Sequence, residues 1–145
     1  MNESSATRVI HDVLPETKMR VWKIADQYTA GIPDAYYGGD NGKSLWTEYK
    51  ITKRKTTPTR LDVSPLKKNS GRLSHKQQKW LNSHHERNHN VAVTVIHYRP
   101  RNAMYYVFRK GQWNTPQSVD NLLVFFNVRD YAHWIMAQTD TNNNE

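Results

Sequence analysis

Asp34-Ala35-Tyr36-Tyr37-Gly38-Gly39-Asp40-Asn41-Gly42-Lys43-Ser44-Leu45-Trp46-Thr47-Glu48-Tyr49-Lys50 reads as two strands folded about a turn rich in Gly and Asn. Side chains alternate faces along a strand, so Glu48 and Lys50 point one way and Tyr49 the other. With the turn centred near Asn41, Asp34 falls opposite Glu48, and directly opposed residues share a face. Asp34, Glu48 and Lys50 are therefore expected to converge on one patch. Two carboxylates at one spot repel unless a cation lies between them, and hard oxygen ligands select Mg²⁺ or Mn²⁺. A lysine beside such a cation can orient or deprotonate water and stabilise charge building on a phosphate.

Beyond the hairpin, residues 52–70 are rich in Lys, Thr, Pro and Ser and read as a long loop. Ser74 is expected to cap a helix running to about His85, with Gln77, Trp80, Leu81 and His84 spaced along it. Residues 91–97 form a β-branched run suited to a central strand, and 104–108 and 122–128 read as two more. Turn signals at Lys110-Gly111 and Asn114-Thr115-Pro116 separate those two, and a terminal helix over 129–138 carries Tyr131, Trp134 and Ile135. On the N-terminal side, residues 1–14 read as a polar, loosely ordered arm. Pro15-Glu16 is expected to open a helix through Met19, Trp22, Ile24 and Ala25 to about Tyr28, broken by Gly31-Ile32-Pro33. The order implies an α/β architecture, a mixed sheet flanked by helices. A chain of 145 residues suits one domain, 1–145, with a core over about 15–97, a β/α extension over 98–138 and a flexible tail over 139–145.

Lys and Arg total 21 against 13 Asp and Glu, for a net charge of +8. The excess is concentrated. From Lys50 to Lys79 there are ten basic residues and a single acid, Asp62. Such a block suits a polyanion, because neutralising phosphates releases counterions and supplies affinity for any sequence. No cysteine is present, which excludes disulfides and cysteine-zinc sites. No apolar run approaches the ~20 residues of a membrane span, and Met1 to Ser5 lacks the pattern of a secretory signal, so a soluble, cytoplasmic protein with no membrane partner is expected.

Gly31-Ile32-Pro33-Asp34, followed by Leu45-Trp46-Thr47-Glu48-Tyr49-Lys50, resembles the PD-(D/E)xK nuclease signature. Gly71-Arg72-Leu73-Ser74-His75-Lys76-Gln77-Gln78-Lys79-Trp80-Leu81 and the strand from Val91 resemble the helix and following strand of the VRR-Nuc branch, which groups phage and bacterial nucleases related to Holliday-junction resolvases. The resemblance covers roughly residues 15–97. It implies a restriction-endonuclease-like core that hydrolyses DNA phosphodiesters, with Asp34 and Glu48 as metal ligands, the Tyr49 backbone carbonyl as a further ligand, Lys50 as the catalytic lysine and Gln77 as a polar residue of the site. Relatives often place an acid on the first helix near the metal. Glu16 is the candidate here, although the helix dipole alone explains an acid in a first turn. The chain departs from the family in having Tyr49 before the lysine, where an apolar residue is usual, and in the long basic segment over 52–70.

Lys53, Arg54, Lys55, Arg60, Lys67 and Lys68 of that segment, with Arg72, Lys76 and Lys79 of the helix face, are the expected DNA-binding residues. One chain offers one active site, so cleaving both strands of a symmetric substrate implies a C2 homodimer. The resemblance favours branched DNA as substrate. A sequence-specific, homing-type endonuclease and a non-catalytic DNA-binding protein are the alternatives. His85-Glu86-Arg87-Asn88-His89 fits the zinc-protease spacing, but that chemistry needs a continuing helix, and Asn88 to Asn90 is expected to end it. His75, His84 and His97 read as surface or half-buried residues, with His75 within reach of DNA. Trp22, Trp46, Trp80 and Trp134 are expected in the core, whereas Trp113 and Tyr105-Tyr106 are expected to contact DNA or another subunit.

Overall fold

The structure is a computed structural model that describes residues 2–24, 30–66, 71–99 and 102–141. Three helices, α1 (Glu3–Asp12), α2 (His75–Glu86) and α3 (Val128–Gln138), pack on a mixed sheet. Its strands are β1 (Met19–Lys23), β2 (Ala35–Gly39), β3 (Ser44–Thr52), β5 (Val91–His97), β6 (Met104–Arg109) and β8 (Leu123–Phe125), adjacent in that order. Two short strands, β4 (Arg60–Leu61) and β7 (Gln117–Ser118), pair with each other beside it. The β3–β5 pair is parallel, with α2 as the crossover, and the other neighbours are antiparallel. The expected α/β class and mixed sheet are present.

Every residue of β5 is buried, which suits a run from Val91 to Ile96 that is apolar but for Thr94, and its place between β3 and β6. On one face of the sheet, α1 and α3 cover Ala35, Tyr37, Leu45, Tyr49, Ala92 and Ile96. On the other, Leu81 of α2 meets Val91, Val93, Val95 and Phe108. The alternation of β3 therefore sends Trp46, Glu48 and Lys50 to the α2 face. Ser74 caps α2 as expected. Its hydroxyl accepts from the Gln77 amide while the Gln77 side chain accepts from the Ser74 amide, a reciprocal capping box.

Several expectations are corrected. The N-terminal arm is a helix. Asn2 caps α1, and Ala6, Thr7 and Ile10 are buried one turn apart. No helix begins at Pro15. A turn over 15–18 leads into β1, where Met19 and Val21 face the α1/α3 core and Arg20 and Trp22 face the opposite side. Period-two alternation, stabilised by the ladder to β2, overrides the loosely helical spacing. Ala25 to Tyr28, the end of that expected helix, lie outside the described residues. Residues 52–66 are tied down through β4 and through Leu61 and Val63, which are buried with Leu73, and residues 67–70 lie outside the described residues. The last strand stops at Phe125 because Asn127 already caps α3. The tail is ordered through 141. Thr139 is buried against the end of α3, and Asp140 lies 2.8 Å from Lys43 of the hairpin.

Trp46, Trp80 and Trp134 are half-buried against the core, which meets their expected place in part, whereas the other aromatic expectations invert. Trp113, Tyr105 and Tyr106 are fully buried, with the Trp113 indole donating to Asn82. Trp22, in contrast, is 43% exposed. His97 is buried, its Nε2 2.8 Å from the Arg54 carbonyl oxygen. Among the described residues no helix is long and apolar enough to cross a membrane.

Candidate active site

The hairpin register brings the carboxylates together. Ala35 pairs with Thr47, so Asp34, one residue before the ladder, stands opposite Glu48. Asp34 Oδ2 accepts from the Tyr49 amide at 2.9 Å. The N–H and C=O of one strand residue leave on the same side. The Tyr49 carbonyl is thus directed to the edge at which Asp34 sits, beyond the last ladder pair of β2 and β3. Lys50 Nζ lies 3.4 Å from Glu48 Oε2, and Gln77 Nε2 donates to that same oxygen at 2.8 Å. Gln77 therefore performs two tasks, closing the cap of α2 and fixing the rotamer of Glu48.

The approach of α2 depends on Gly31. It adopts a left-handed φ of +84°, and a Cβ there would drive into the backbone carbonyl of Lys76, next to Gln77. Glycine lets the segment that delivers Asp34 lie against the first turn of the helix that delivers Gln77.

Glu48 is 2% exposed, and its Oε1 is buried with no hydrogen-bond partner. Burial first, then the neighbouring Asp34 charge, push its carboxyl from 4.5 to about 8 against the pull of Lys50. Asp34 is raised as well, chiefly by burial, against the Tyr49 amide and Lys50. A buried dyad that resists ionising, one of whose oxygens is orphaned, fits a cation-binding site. Among the described residues no group of three or more His, Cys, Asp and Glu forms a metal-holding cluster. A cation here would rely on Asp34, Glu48, the Tyr49 carbonyl and oxygens of water or substrate. That donor set suits Mg²⁺, which keeps several waters.

Glu16 is not brought in. It is exposed in the turn after α1, and the charge it acts on is that of His11. The acid that the first helix does contribute is Glu3. It acts electrostatically on Glu48, and its own carboxyl is raised by desolvation, against Lys50 and with Asp34. Glu3 is an exposed residue whose charge reaches Asp34, Glu48 and Lys50. Asn2, Glu3 and Ser4 line a shallow cavity with Ile51 and Lys53 at the end of β3. Glu3 escapes sequence reading because the helix bearing it does.

Beneath the site, Tyr49 explains its own departure from the expected apolar residue. Its hydroxyl is bonded to those of Tyr37 (2.7 Å) and Tyr131 (3.1 Å), and Tyr131 lies 2.8 Å from Thr94 Oγ1. A satisfied polar chain replaces an apolar contact.

The basic residues are distributed around the end of β3. Lys53, Arg54 and Lys55 follow it and are exposed, as are Arg60 of β4 and Lys76 and Lys79 of α2. Arg54, Arg60 and Arg72 line a cavity of about 420 Å³ that adjoins Ile51 and Thr52. Arg72 is already engaged, 3.2 Å from both Asp62 Oδ2 and the Ser64 carbonyl. Lys67 and Lys68 lie outside the described residues. His75 is exposed at the start of α2, and His84 is half-buried and stacked on Trp80. The zinc-protease spacing is not on one helix. α2 ends at Glu86, Asn88 takes φ +65°, His85 packs against Trp113 and His89 turns back toward His84.

Compared with family models, with curated proteins and with solved structures, the chain matches none of them.

Proposed function

We propose that this chain is a Mg²⁺- or Mn²⁺-dependent endodeoxyribonuclease with a PD-(D/E)xK-like core. The observation that carries this reading is the convergence of Asp34, Glu48 and Lys50 on one sheet face, with the buried Glu48 Oε1 unpartnered. Asp34, Glu48 and the Tyr49 carbonyl would hold the cation. When bound, it supplies Lewis acidity toward a phosphate oxygen and lowers the pKa of water. Lys50 stands where it can orient the attacking water or offset charge on the phosphate. Gln77 positions Glu48, and Lys53, Arg54, Lys55, Arg60, Lys76 and Lys79 neutralise the DNA backbone.

Branched DNA is the proposed substrate on the strength of the sequence resemblance, and a C2 homodimer is the proposed form because one chain offers one active site for two symmetric strands. The test is incubation with a four-way junction, a linear duplex and a single strand, each with Mg²⁺. The expected outcome is paired nicks near the branch point, with junctions of unrelated sequence bound at least about tenfold tighter than duplex, a gap of ~1.4 kcal/mol. One preferred cut in a long linear DNA, with equal affinity for junction and random duplex, would replace this substrate with the homing type. Cleavage of nothing in Mg²⁺ or Mn²⁺, by protein that binds DNA, would leave a non-catalytic binder.

A further inference from the structure

The aromatic residues on the α2 face form a continuous stripe from Trp22 to Trp80 and His84 that passes beside the carboxylates. Trp22 of β1, Tyr36 of β2 and Trp46 of β3 lie side by side across three strands, with ring centroids 6.3 Å apart for Trp22–Tyr36 and 4.7 Å for Tyr36–Trp46. Trp46 meets Trp80 of α2 at 5.3 Å, and His84 stacks on Trp80 at 3.5 Å. Trp46 is two residues before Glu48 on the same strand, and Trp80 is three after Gln77 on the same helix. Two strand residues advance ~6.6 Å, about two base-stacking steps. The outer end is the most open. Trp22 is 43% exposed, although a large indole on a folded surface ordinarily finds cover.

The charges around the stripe indicate what covers it. The Arg20 guanidinium sits over the Trp22 ring, 5.5 Å from its centroid. Lys76 and Lys79 are exposed on the helix that carries Trp80. Aromatic faces interleaved with cations suit unpaired nucleotides, whose bases stack on rings while their phosphates meet Lys and Arg. An apolar protein partner would find these cations costly to desolvate.

We propose that this stripe is a binding site for unpaired nucleobases, and that it receives a single-stranded segment adjoining the scissile phosphate, with Trp22 as its outermost stacking platform. This inference rests on the nuclease reading for its link to cleavage, and it adds a preference for branched DNA that presents unpaired bases beside the duplex. A base taking the place of the Arg20 guanidinium over the indole frees that guanidinium for the neighbouring phosphate. Stacking is tolerant of sequence, since every base has a π-face, so the site selects strandedness rather than base identity.

The experiment uses the full chain in EDTA, so that binding is read without cleavage. Labelled dT12 and a blunt 12-base-pair duplex are titrated by anisotropy, with tryptophan fluorescence recorded in parallel. Wild type is expected to bind dT12 with quenching of its fluorescence. Trp22→Ala is expected to weaken dT12 binding about fivefold or more, the low end of the value of one stacked base, and to change duplex affinity less than twofold. Trp22→Phe, which keeps a ring, should recover most of the loss, and matched thermal melts exclude unfolding as the cause. Equal loss on single strand and duplex, or no quenching, overturns the proposal. So does a Trp22→Ala protein that passes from dimer to monomer in sedimentation while its dT12 affinity is unchanged, which makes the stripe a contact between copies. Failure of this site leaves junction cleavage in Mg²⁺ intact. Failure of the nuclease reading abolishes cleavage while dT12 binding persists.

Discussion

Replacing Glu48 with Gln should change how folding stability depends on pH, and the size of the change follows from the burial of this one carboxyl. In the folded chain Glu48 holds its proton to about 8, whereas a free side chain releases it near 4.5. Across that interval the folded protein retains a proton that the unfolded chain has lost, so each step upward in pH favours unfolding. The contribution is whole below pH 4.5 and gone once pH has risen through the folded value. At ~1.4 kcal/mol per pH unit the full interval is worth about 5 kcal/mol, of which roughly 3–4 falls between pH 5 and pH 8. Urea unfolding in EDTA at pH 5, 6, 7 and 8, on wild type and on Glu48→Gln, isolates the effect as the difference between two curves. Wild type should lose roughly 3–4 kcal/mol relative to the variant over that range. Saturating Mn²⁺ should suppress the loss, because the cation takes the place of the proton. Curves that stay parallel within about 0.5 kcal/mol would refute the assignment of Glu48 as a buried, cation-demanding carboxylate.

Three further outcomes are expected. Replacing Lys53, Arg54 and Lys55 together with Ala should weaken binding to every DNA alike and flatten its salt dependence by ~0.9 per lost phosphate contact, measured by anisotropy at several salt concentrations. Tyr131→Phe removes the hydroxyl that bridges Thr94 and Tyr49 inside the sheet and should cost about 1–3 kcal/mol in thermal or urea unfolding, since Thr94 is left short of a partner. Gly31→Ala forces a Cβ into the Lys76 carbonyl at a positive φ, and should cost at least ~1–3 kcal/mol while lowering activity more than DNA affinity, because α2 carries Gln77 away from Glu48.

The parts legible in the sequence were those written in local signals. Gly38 to Gly42 fixes the turn and hence the register that opposes Asp34 and Glu48. Ser74 and Gln77 form the capping box that starts α2, and the β-branched run from Val91 marks the central strand. The parts that were not legible depend on distant partners. α1 has only Ala6 and Ile10 as its apolar face among polar neighbours, and it is held by Tyr37 and α3 rather than by its own propensity. Without that helix the sequence gives Glu3 no place near the site, and Glu16 is the acid that its local pattern offers. β1 carries both periodicities in Met-Arg-Val-Trp, and only its ladder to β2 decides between them. Arg109 and Lys110 near Trp113 point to a contact surface, yet Asn82, more than thirty positions earlier, accepts its indole N–H and draws it inside. Trp22 falls on the apolar face of a helical spacing, which points to the core. As a strand residue it lies on the open side of the sheet.

The central claim is that Asp34, Glu48 and Lys50 form a metal-dependent site for phosphodiester hydrolysis. Nicking of supercoiled plasmid tests it most directly, with wild type, Asp34→Asn, Glu48→Gln and Lys50→Ala run side by side in Mg²⁺ and in EDTA. Wild type should nick in Mg²⁺ and not in EDTA. Asp34→Asn and Glu48→Gln should lose cleavage while still binding the plasmid. Lys50→Ala should be slower by several orders of magnitude, yet still bind Mn²⁺. Nicking near the wild-type rate by either carboxylate variant, or by wild type in EDTA, would contradict the claim.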